Sequence, residues 1–96
     1  MGRKEAYVED YLVKTASEKG FLCRKLTTPG TNGSPDRMLI GHGLVLFVET
    51  KKEKGQLRPI QKENIKEMRS HGANVYVCDT REAVDEMFEQ IKQSDE

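Results

Sequence analysis

Residues 34–52 read Ser-Pro-Asp-Arg-Met-Leu-Ile-Gly-His-Gly-Leu-Val-Leu-Phe-Val-Glu-Thr-Lys-Lys. This stretch contains two apolar runs of β-prone residues, 38–40 and 44–48, on either side of the turn signal Gly-His-Gly at 41–43. Such a pattern predicts a β-hairpin. Both free ends of the hairpin carry charged residues, so the pairing of its strands decides which charges meet.

The register of the hairpin predicts a cluster of charges at its open end. If residues 42–43 form the tight loop, Asp36 lies opposite Glu49, with Cβ atoms about 4.5–5.5 Å apart. Lys51, two residues beyond Glu49, projects from the same face of its strand. Two carboxylates and an ammonium are therefore expected to converge there.

Two facing carboxylates need a positive charge between them, because like charges opposite each other on a sheet repel and their closeness raises the pKa of one of them. A divalent cation meets that need. Mg²⁺ binds a few carboxylate oxygens at about 2.0–2.1 Å and keeps positions for water and phosphate. The lysine could then orient or help deprotonate the attacking water, or stabilise charge on the phosphate in the transition state.

Motifs at these positions resemble a known nuclease signature. Pro35-Asp36 followed by Glu49-Thr50-Lys51 resembles the PD-(D/E)xK nucleases. Residues 55–62, Gly-Gln-Leu-Arg-Pro-Ile-Gln-Lys, resemble their VRR-NUC branch, the virus-type replication-repair nuclease module. The resemblance extends over residues 5–88 and implies an α/β fold with a restriction-endonuclease-like core.

The order of predicted elements is αβββαβα, a mixed sheet of about four strands flanked by three helices. Around the hairpin we expect a helix over 3–19, a strand over 21–26, a helix over 59–70, a strand over 74–79 and a last helix capped by Thr80. The strand over 74–79 is continuously apolar, which predicts burial on both of its faces. Its βαβ connection predicts that it runs parallel to the second hairpin strand.

Under the nuclease hypothesis, the open end of the hairpin is a catalytic metal site. Asp36, Glu49 and the backbone carbonyl of Thr50 would hold Mg²⁺ or Mn²⁺, and Lys51 would assist the water or the transition-state charge. Gln61 falls on the core-facing stripe of the second helix, where an amide needs a partner. That partner is expected to be Lys51 or a metal-bound water, the alternative being a backbone group at the rim of the core.

The resemblance also implies that the first helix supplies a further acidic residue to the site. Glu9 matches that position better than Glu5, and it is expected to add a catalytic carboxylate. The alternative is that both glutamates are solvated, with Glu5 near the helix start for reasons of the helix dipole.

Charge is distributed unevenly along a chain whose formal net charge is zero. Residues 1–78 carry 14 basic and 9 acidic side chains, whereas residues 79–96 carry 2 basic and 7 acidic ones. This asymmetry is typical of a phosphate-binding face backed by an acidic helix, although ordinary solvated charges would give a similar count. The residues expected to contact DNA phosphates are Arg37, Lys52, Lys54, Arg58 and Lys62.

Composition excludes several other classes of protein. The 96 residues form one domain, 1–96, without a long apolar run or an apolar signal-peptide core, so a cytoplasmic location is expected. Cys23 and Cys78 form no CxxC motif and are interpreted as buried, reduced thiols. Zinc-ligand spacing, a P-loop, a Gly-x-Ser-x-Gly motif and a dinucleotide-binding glycine pattern are all absent from the sequence.

The resemblance implies metal-dependent hydrolysis of phosphodiester bonds in DNA by an endonuclease. Stand-alone, phage-like members of the branch resemble Holliday-junction resolvases, so we expect a homodimer that nicks branched DNA in phage or bacterial DNA repair. Two alternatives stay open: a less selective nickase or end-processing nuclease, and a catalytically silent nucleic-acid-binding module.

Overall fold

A computed structural model describes the backbone of residues 5–27, 33–51 and 55–94, and the side chains of residues 7–27, 33–51 and 55–92. The elements are α1 Glu5–Glu18, β1 Leu22–Lys25, β2 Arg37–Gly41, β3 Leu44–Thr50, α2 Pro59–Ser70, β4 Asn74–Cys78 and α3 Arg81–Ser94. The predicted order αβββαβα is confirmed. The bounds of α2 agree with the prediction at both ends. Pro59 accounts for the start, because proline suits the first helical position.

The sheet has the strand order β1-β2-β3-β4. The first three strands are antiparallel to one another, and β3 pairs with β4 in parallel, as the βαβ connection predicts. Gly41 faces Leu44, so the expected hairpin register is confirmed. His42 (φ 54°) and Gly43 (φ 78°) both have positive φ angles, which is the backbone of a type I′ hairpin turn.

The main core lies between one face of the sheet and the helices α1 and α3. Its fully buried side chains include Val8 and Leu12 of α1, Leu39 and Leu46 of the hairpin, and Val84 of α3. Thr80 caps α3 as expected, because its hydroxyl oxygen accepts a hydrogen bond of 2.9 Å from the backbone N–H of Ala83. None of the helices in the described ranges is long and apolar enough to cross a membrane.

Helix α2 covers part of the opposite face of the sheet. Ile65 of α2 and Val75 of β4 are both buried but lie outside the main core cluster. Cys78, which belongs to that cluster, is three residues from Val75 and so points to the other face. The sheet is therefore sandwiched between α1 and α3 on one side and α2 on the other.

The prediction that β4 is buried on both faces is wrong. Val77 is 37% exposed. The reason is that β4 is the last strand of the sheet and has a neighbouring strand on one side alone. An apolar strand at the edge of a sheet gives the same sequence pattern as a central one.

An apolar row on the face that carries α2 is also exposed. Leu22, Ile40 and Val45 are neighbours across three strands, since Leu22 pairs with Ile40 and Ile40 pairs with Val45. Their exposed fractions are 46%, 37% and 45%. We call these three residues the turn-end row, because they lie near the His42-Gly43 turn.

Candidate active site

Asp36 immediately precedes β2 at the open end of the hairpin, where the ladder ends at the pair Arg37 and Val48. Its carboxylate accepts two hydrogen bonds from Thr50, one from the backbone N–H (3.2 Å) and one from the hydroxyl (2.7 Å). The register sets Asp36 level with Glu49, as expected, but the Asp36 side chain reaches one residue further along β3. The Thr50 hydroxyl is a contact that the sequence interpretation did not include.

Glu49 is a buried carboxylate. It is 5% exposed because it lies on the face of β3 that α2 covers. Its Oε2 atom accepts a hydrogen bond of 3.0 Å from Gln61 Nε2 and lies 3.6 Å from the ammonium of Lys51. An ionised carboxylate buried at this level costs several kcal/mol unless other groups compensate it, and these two side chains do so.

Gln61 connects Glu49 to the start of α2. Its Nε2 donates to Glu49, and its Oε1 accepts a hydrogen bond of 2.8 Å from the backbone N–H of Arg58, the residue that caps the helix. The expectation of a buried amide at this position is confirmed. Its partners differ from the expected ones: the hydrogen bond goes to Glu49 rather than to Lys51, and the backbone contact that was the alternative is also present.

Glu9 and Arg37 form an ion pair between α1 and β2. The Nε–Oε2 distance is 2.8 Å, and both side chains are four-fifths buried. The two residues had been expected to act separately, Glu9 as a catalytic carboxylate and Arg37 as a phosphate contact. Their pairing could not be predicted from the sequence, since 28 residues separate them.

Burial raises the pKa of the Asp36 carboxyl above its ordinary value, and the negative charge of Glu9 acts in the same direction. The two hydrogen bonds from Thr50 lower that pKa and oppose the rise. Asp36 is thus close enough to Glu9 for the charge of one to affect the other.

The remaining predicted residues lie around this end of the sheet or outside the described ranges. Arg58 and Lys62 are exposed at the start of α2. Lys52 and Lys54 lie outside the described residues, as does the side chain of Glu5. The structure therefore places two of the five predicted phosphate-contacting side chains at the surface beside Gln61.

The oxygen donors at the open end suit a hard divalent cation. Mg²⁺ and Mn²⁺ prefer carboxylate and carbonyl oxygens, which Asp36, Glu49 and the backbone of Thr50 provide. The hydrogen bonds from Thr50 do not exhaust the acceptor capacity of Asp36, because a carboxylate has about four acceptor positions. Within the described ranges, no three His, Cys, Asp or Glu side chains come together as a metal-binding group.

A further contact joins α2 to the segment that leads into Asp36. Asn64 Nδ2 donates a hydrogen bond of 3.2 Å to the backbone carbonyl of Gly33. This contact was not among those expected from the sequence. Its one signal was that Asn64 lies three residues after Gln61, on the same side of the helix.

Comparisons with known proteins identify the family. Residues 13–82 match the family model described as the VRR-NUC domain. A solved structure described as a VRR_NUC domain is 34% identical to this chain and covers 91% of it and 96% of its own length, with a TM-score of 0.85. No curated protein matches the chain. The family match includes Asp36, Glu49, Lys51 and Gln61, while Glu9 lies outside the matched residues.

VRR-NUC domains are nucleases of the PD-(D/E)xK type, which generally use divalent metals. The match spans more than half of the 96 residues, and the fold and the motif residues agree with it. The chain therefore belongs to the VRR-NUC family, and it is a nuclease domain whose substrate is DNA.

Proposed function

We propose that this chain is an endonuclease that hydrolyses phosphodiester bonds in DNA with the help of Mg²⁺ or Mn²⁺. The observation that carries the proposal is the burial of Glu49 at the end of β3, beside Lys51 and Asp36. Burying a carboxylate at this position costs desolvation free energy that an apolar residue of similar size would not cost. It does fit a group that must hold a cation with a fixed geometry.

The proposed roles follow from the contacts of each side chain. Asp36, Glu49 and the carbonyl of Thr50 would hold the cation, which would supply Lewis-acid chemistry to the phosphate and to the attacking water. Lys51, 3.6 Å from Glu49, is held where it can donate to the water or to the phosphate. Gln61 fixes the orientation of Glu49 through their hydrogen bond.

Glu9 has an indirect part in this proposal. It holds Arg37 through the 2.8 Å ion pair and contributes negative charge close to Asp36. We propose that Glu9 holds Arg37 in place, and that Arg37 contacts a phosphate only through its outer guanidinium nitrogens.

The basic residues at the start of α2 are proposed to bind the DNA backbone. Each phosphate contact adds about 0.9 to the slope of log affinity against log salt concentration on duplex DNA. Lys62→Ala is expected to lower that slope by about this amount and to weaken binding to all DNA sequences equally. Fluorescence anisotropy at four salt concentrations measures the slope, with Glu63→Ala as the neighbouring control. An unchanged slope would remove Lys62 from the DNA surface.

We further propose that the active form is a homodimer that nicks branched DNA. A chain of 96 residues offers little surface for holding two duplexes, whereas a two-fold dimer has two identical sites. The turn-end row supports this assembly, because three exposed apolar side chains side by side are suited to burial against the same row of a second copy.

Cleavage of a synthetic four-way junction in the presence of Mn²⁺ tests the proposal, with a linear duplex of the same sequence as the comparison. We expect paired nicks near the branch point and little cutting of the duplex. Asp36→Ala should abolish cleavage of the junction and of the duplex. Glu63→Ala, on the exposed side of α2, should leave the cleavage of each unchanged. Equal cutting of junction and duplex would point to a less selective nickase or end-processing nuclease.

A catalytically silent DNA-binding module is the remaining alternative. Calorimetric titration with Mn²⁺ separates it from the enzyme, because a silent module should show the same heat with and without the Asp36 carboxylate. The proposal predicts a binding heat for the natural chain that Asp36→Ala removes.

A further inference from the structure

Two polar side chains on consecutive turns of α2 reach different parts of the site. Gln61 donates to Glu49 of β3 at 3.0 Å. Asn64, nearly one turn later, donates to the carbonyl oxygen of Gly33 at 3.2 Å. Gly33 lies three residues before Asp36 in the chain. One helix therefore contacts both of the segments that carry the two acidic residues.

The contact at Gly33 brings two backbones together. Gly33 is buried and has a φ angle of +86°. A Cβ atom at this position would lie 2.8 Å from the carbonyl oxygen of Ile60 and 3.1 Å from the Cα atom of Gln61. Both atoms belong to the backbone of the first turn of α2 and cannot rotate away. Only glycine allows the chain to approach the helix this closely.

The link between Gly33 and Asp36 is short and stiff. It consists of Ser34 and Pro35, and Pro35 is fully buried with its φ angle fixed by the ring. At the other end, the carboxylate of Asp36 is tied to Thr50 by two hydrogen bonds. A shift of Gly33 relative to α2 would consequently be transmitted to Asp36.

We propose that the first two turns of α2 set the separation of the Asp36 and Glu49 carboxylates, with Asn64 and Gly33 as positioning residues for the bound cation. Gln61 fixes Glu49 to the helix, and Asn64 and Gly33 fix the segment of Asp36 to the same helix. This inference rests on the proposed function, since it assigns a purpose to the spacing of the two proposed ligands.

A purely structural role for Asn64 makes a different prediction. If its hydrogen bond only stabilises the fold, Asn64→Ala should lower the melting temperature and leave the affinity for the cation unchanged. If it positions Asp36, the affinity should fall while the melting temperature, measured with EDTA present, moves by less than about 4 °C. Alanine at position 64 also favours the helix, which limits the loss of stability.

The experiment measures Mn²⁺ binding by electron paramagnetic resonance on the full chain without DNA. We expect Asn64→Ala to bind Mn²⁺ about tenfold more weakly than the natural chain, as residues that orient metal ligands do elsewhere. The matched control Glu63→Ala, on the adjacent position of the same helix, should bind it equally well. Gly33→Ala should weaken Mn²⁺ binding further. If Gly33→Ala does not fold, the Mn²⁺ affinity of Asn64→Ala alone tests the inference.

A kinetic readout accompanies the binding measurement. At low Mn²⁺, Asn64→Ala should have a lower kcat for cleavage, with an unchanged KM for DNA, and higher Mn²⁺ should restore kcat. Equal Mn²⁺ affinity of Asn64→Ala and the natural chain would overturn the inference, as would an equal loss in Glu63→Ala. Absence of Mn²⁺ binding by the natural chain would instead overturn the proposed function on which the inference rests.

Discussion

The two ends of the hairpin formed by β2 and β3 have opposite patterns of burial. At the turn end, the apolar side chains of Ile40 and Val45 are exposed to solvent. At the open end, four residues further along β3, Glu49 and Thr50 are buried and Asp36 is partly so. The hydrophobic effect alone would favour the reverse arrangement.

This inversion separates what the hairpin does for the fold from what it does for function. The apolar residues of the other sheet face, such as Leu39 and Leu46, supply the core. The polar residues at the open end are kept in place by specific hydrogen bonds with Thr50 and Gln61 instead. The proposed functions account for the inversion: a cation site at the open end and a contact with a second copy at the turn end.

The largest effect is expected from Glu49→Gln, which removes the charge at the open end and keeps the shape. Cleavage of the junction should fall about 10³-fold, because the cation loses a ligand. The free energy of unfolding, measured with EDTA present, should stay the same or rise, since a buried charge has been removed.

Glu63→Gln is the control for that comparison, as an exposed glutamate on α2. It should leave both cleavage and stability unchanged. A Glu49→Gln variant that keeps full activity would show that the buried charge is not needed for catalysis. One that unfolds would contradict the expected stability and show that Glu49 is needed for the fold.

At the turn end, Val45→Lys should convert the proposed dimer into monomers. Two-fold symmetry would place the new lysine of each copy near that of the other, and like charges at an interface cost several kcal/mol. We expect dimer dissociation to become at least about 100-fold easier, with little change in the stability of the monomer. Light scattering across a concentration series measures this. A natural chain that is monomeric at all concentrations would remove the assigned role of the turn-end row.

A smaller effect is expected from Asp36→Asn on stability. Since burial raises the pKa of Asp36 in the folded chain, stability is lost as the pH rises from the ordinary aspartate pKa through the raised one. The variant should therefore be more stable than the natural chain at pH 8. The difference should vanish as the pH falls to the ordinary aspartate pKa of about 3.9.

Urea denaturation at pH 4 and pH 8, with EDTA present, measures that difference. The asparagine oxygen can still accept from the Thr50 N–H, and the Thr50 hydroxyl can turn to accept from the new amide. A variant that is less stable at pH 8, or a difference independent of pH, would contradict the assigned pKa direction.

The smallest effect concerns the thiols. Burial raises the pKa of Cys78 to about 12, and Cys78 pairs with Thr50 directly behind the open end. Burial also raises the pKa of the less buried Cys23. Iodoacetamide at pH 8 should therefore modify Cys23 slowly and Cys78 only as fast as the whole chain unfolds. Mass spectrometry measures the rate of labelling at each thiol. Labelling of Cys78 faster than global unfolding would show that the open end unfolds locally.

The fold could be predicted closely because local signals agreed with one another. The Gly-His-Gly turn fixed the hairpin register, Pro59 marked the start of α2, and Thr80 capped α3. Burial of Gln61 followed from its place on the apolar stripe of its helix. Each of these depends on residues a few positions apart, where the periodicity of helices and strands applies.

The details of the site depend on contacts between elements that are distant in the sequence, which sequence periodicity does not encode. The ion pair of Glu9 with Arg37 and the hydrogen bond from Asn64 to Gly33 join residues about 30 positions apart. The exposure of Val77 depends on β4 being the last strand, and an edge strand can have the same pattern as a central one. The hydrogen bonds from Thr50 to Asp36 depend on the side-chain rotamer of Asp36, which the pairing of the strands does not determine.

Anomalous X-ray scattering from crystals soaked in Mn²⁺ tests the central claim most directly. The account predicts one strong manganese peak bound by oxygen atoms of both Asp36 and Glu49 at about 2.1 Å, which disappears in crystals of Glu49→Gln. A peak elsewhere on the protein, or no peak at saturating Mn²⁺, would contradict a cation site at the open end of the hairpin.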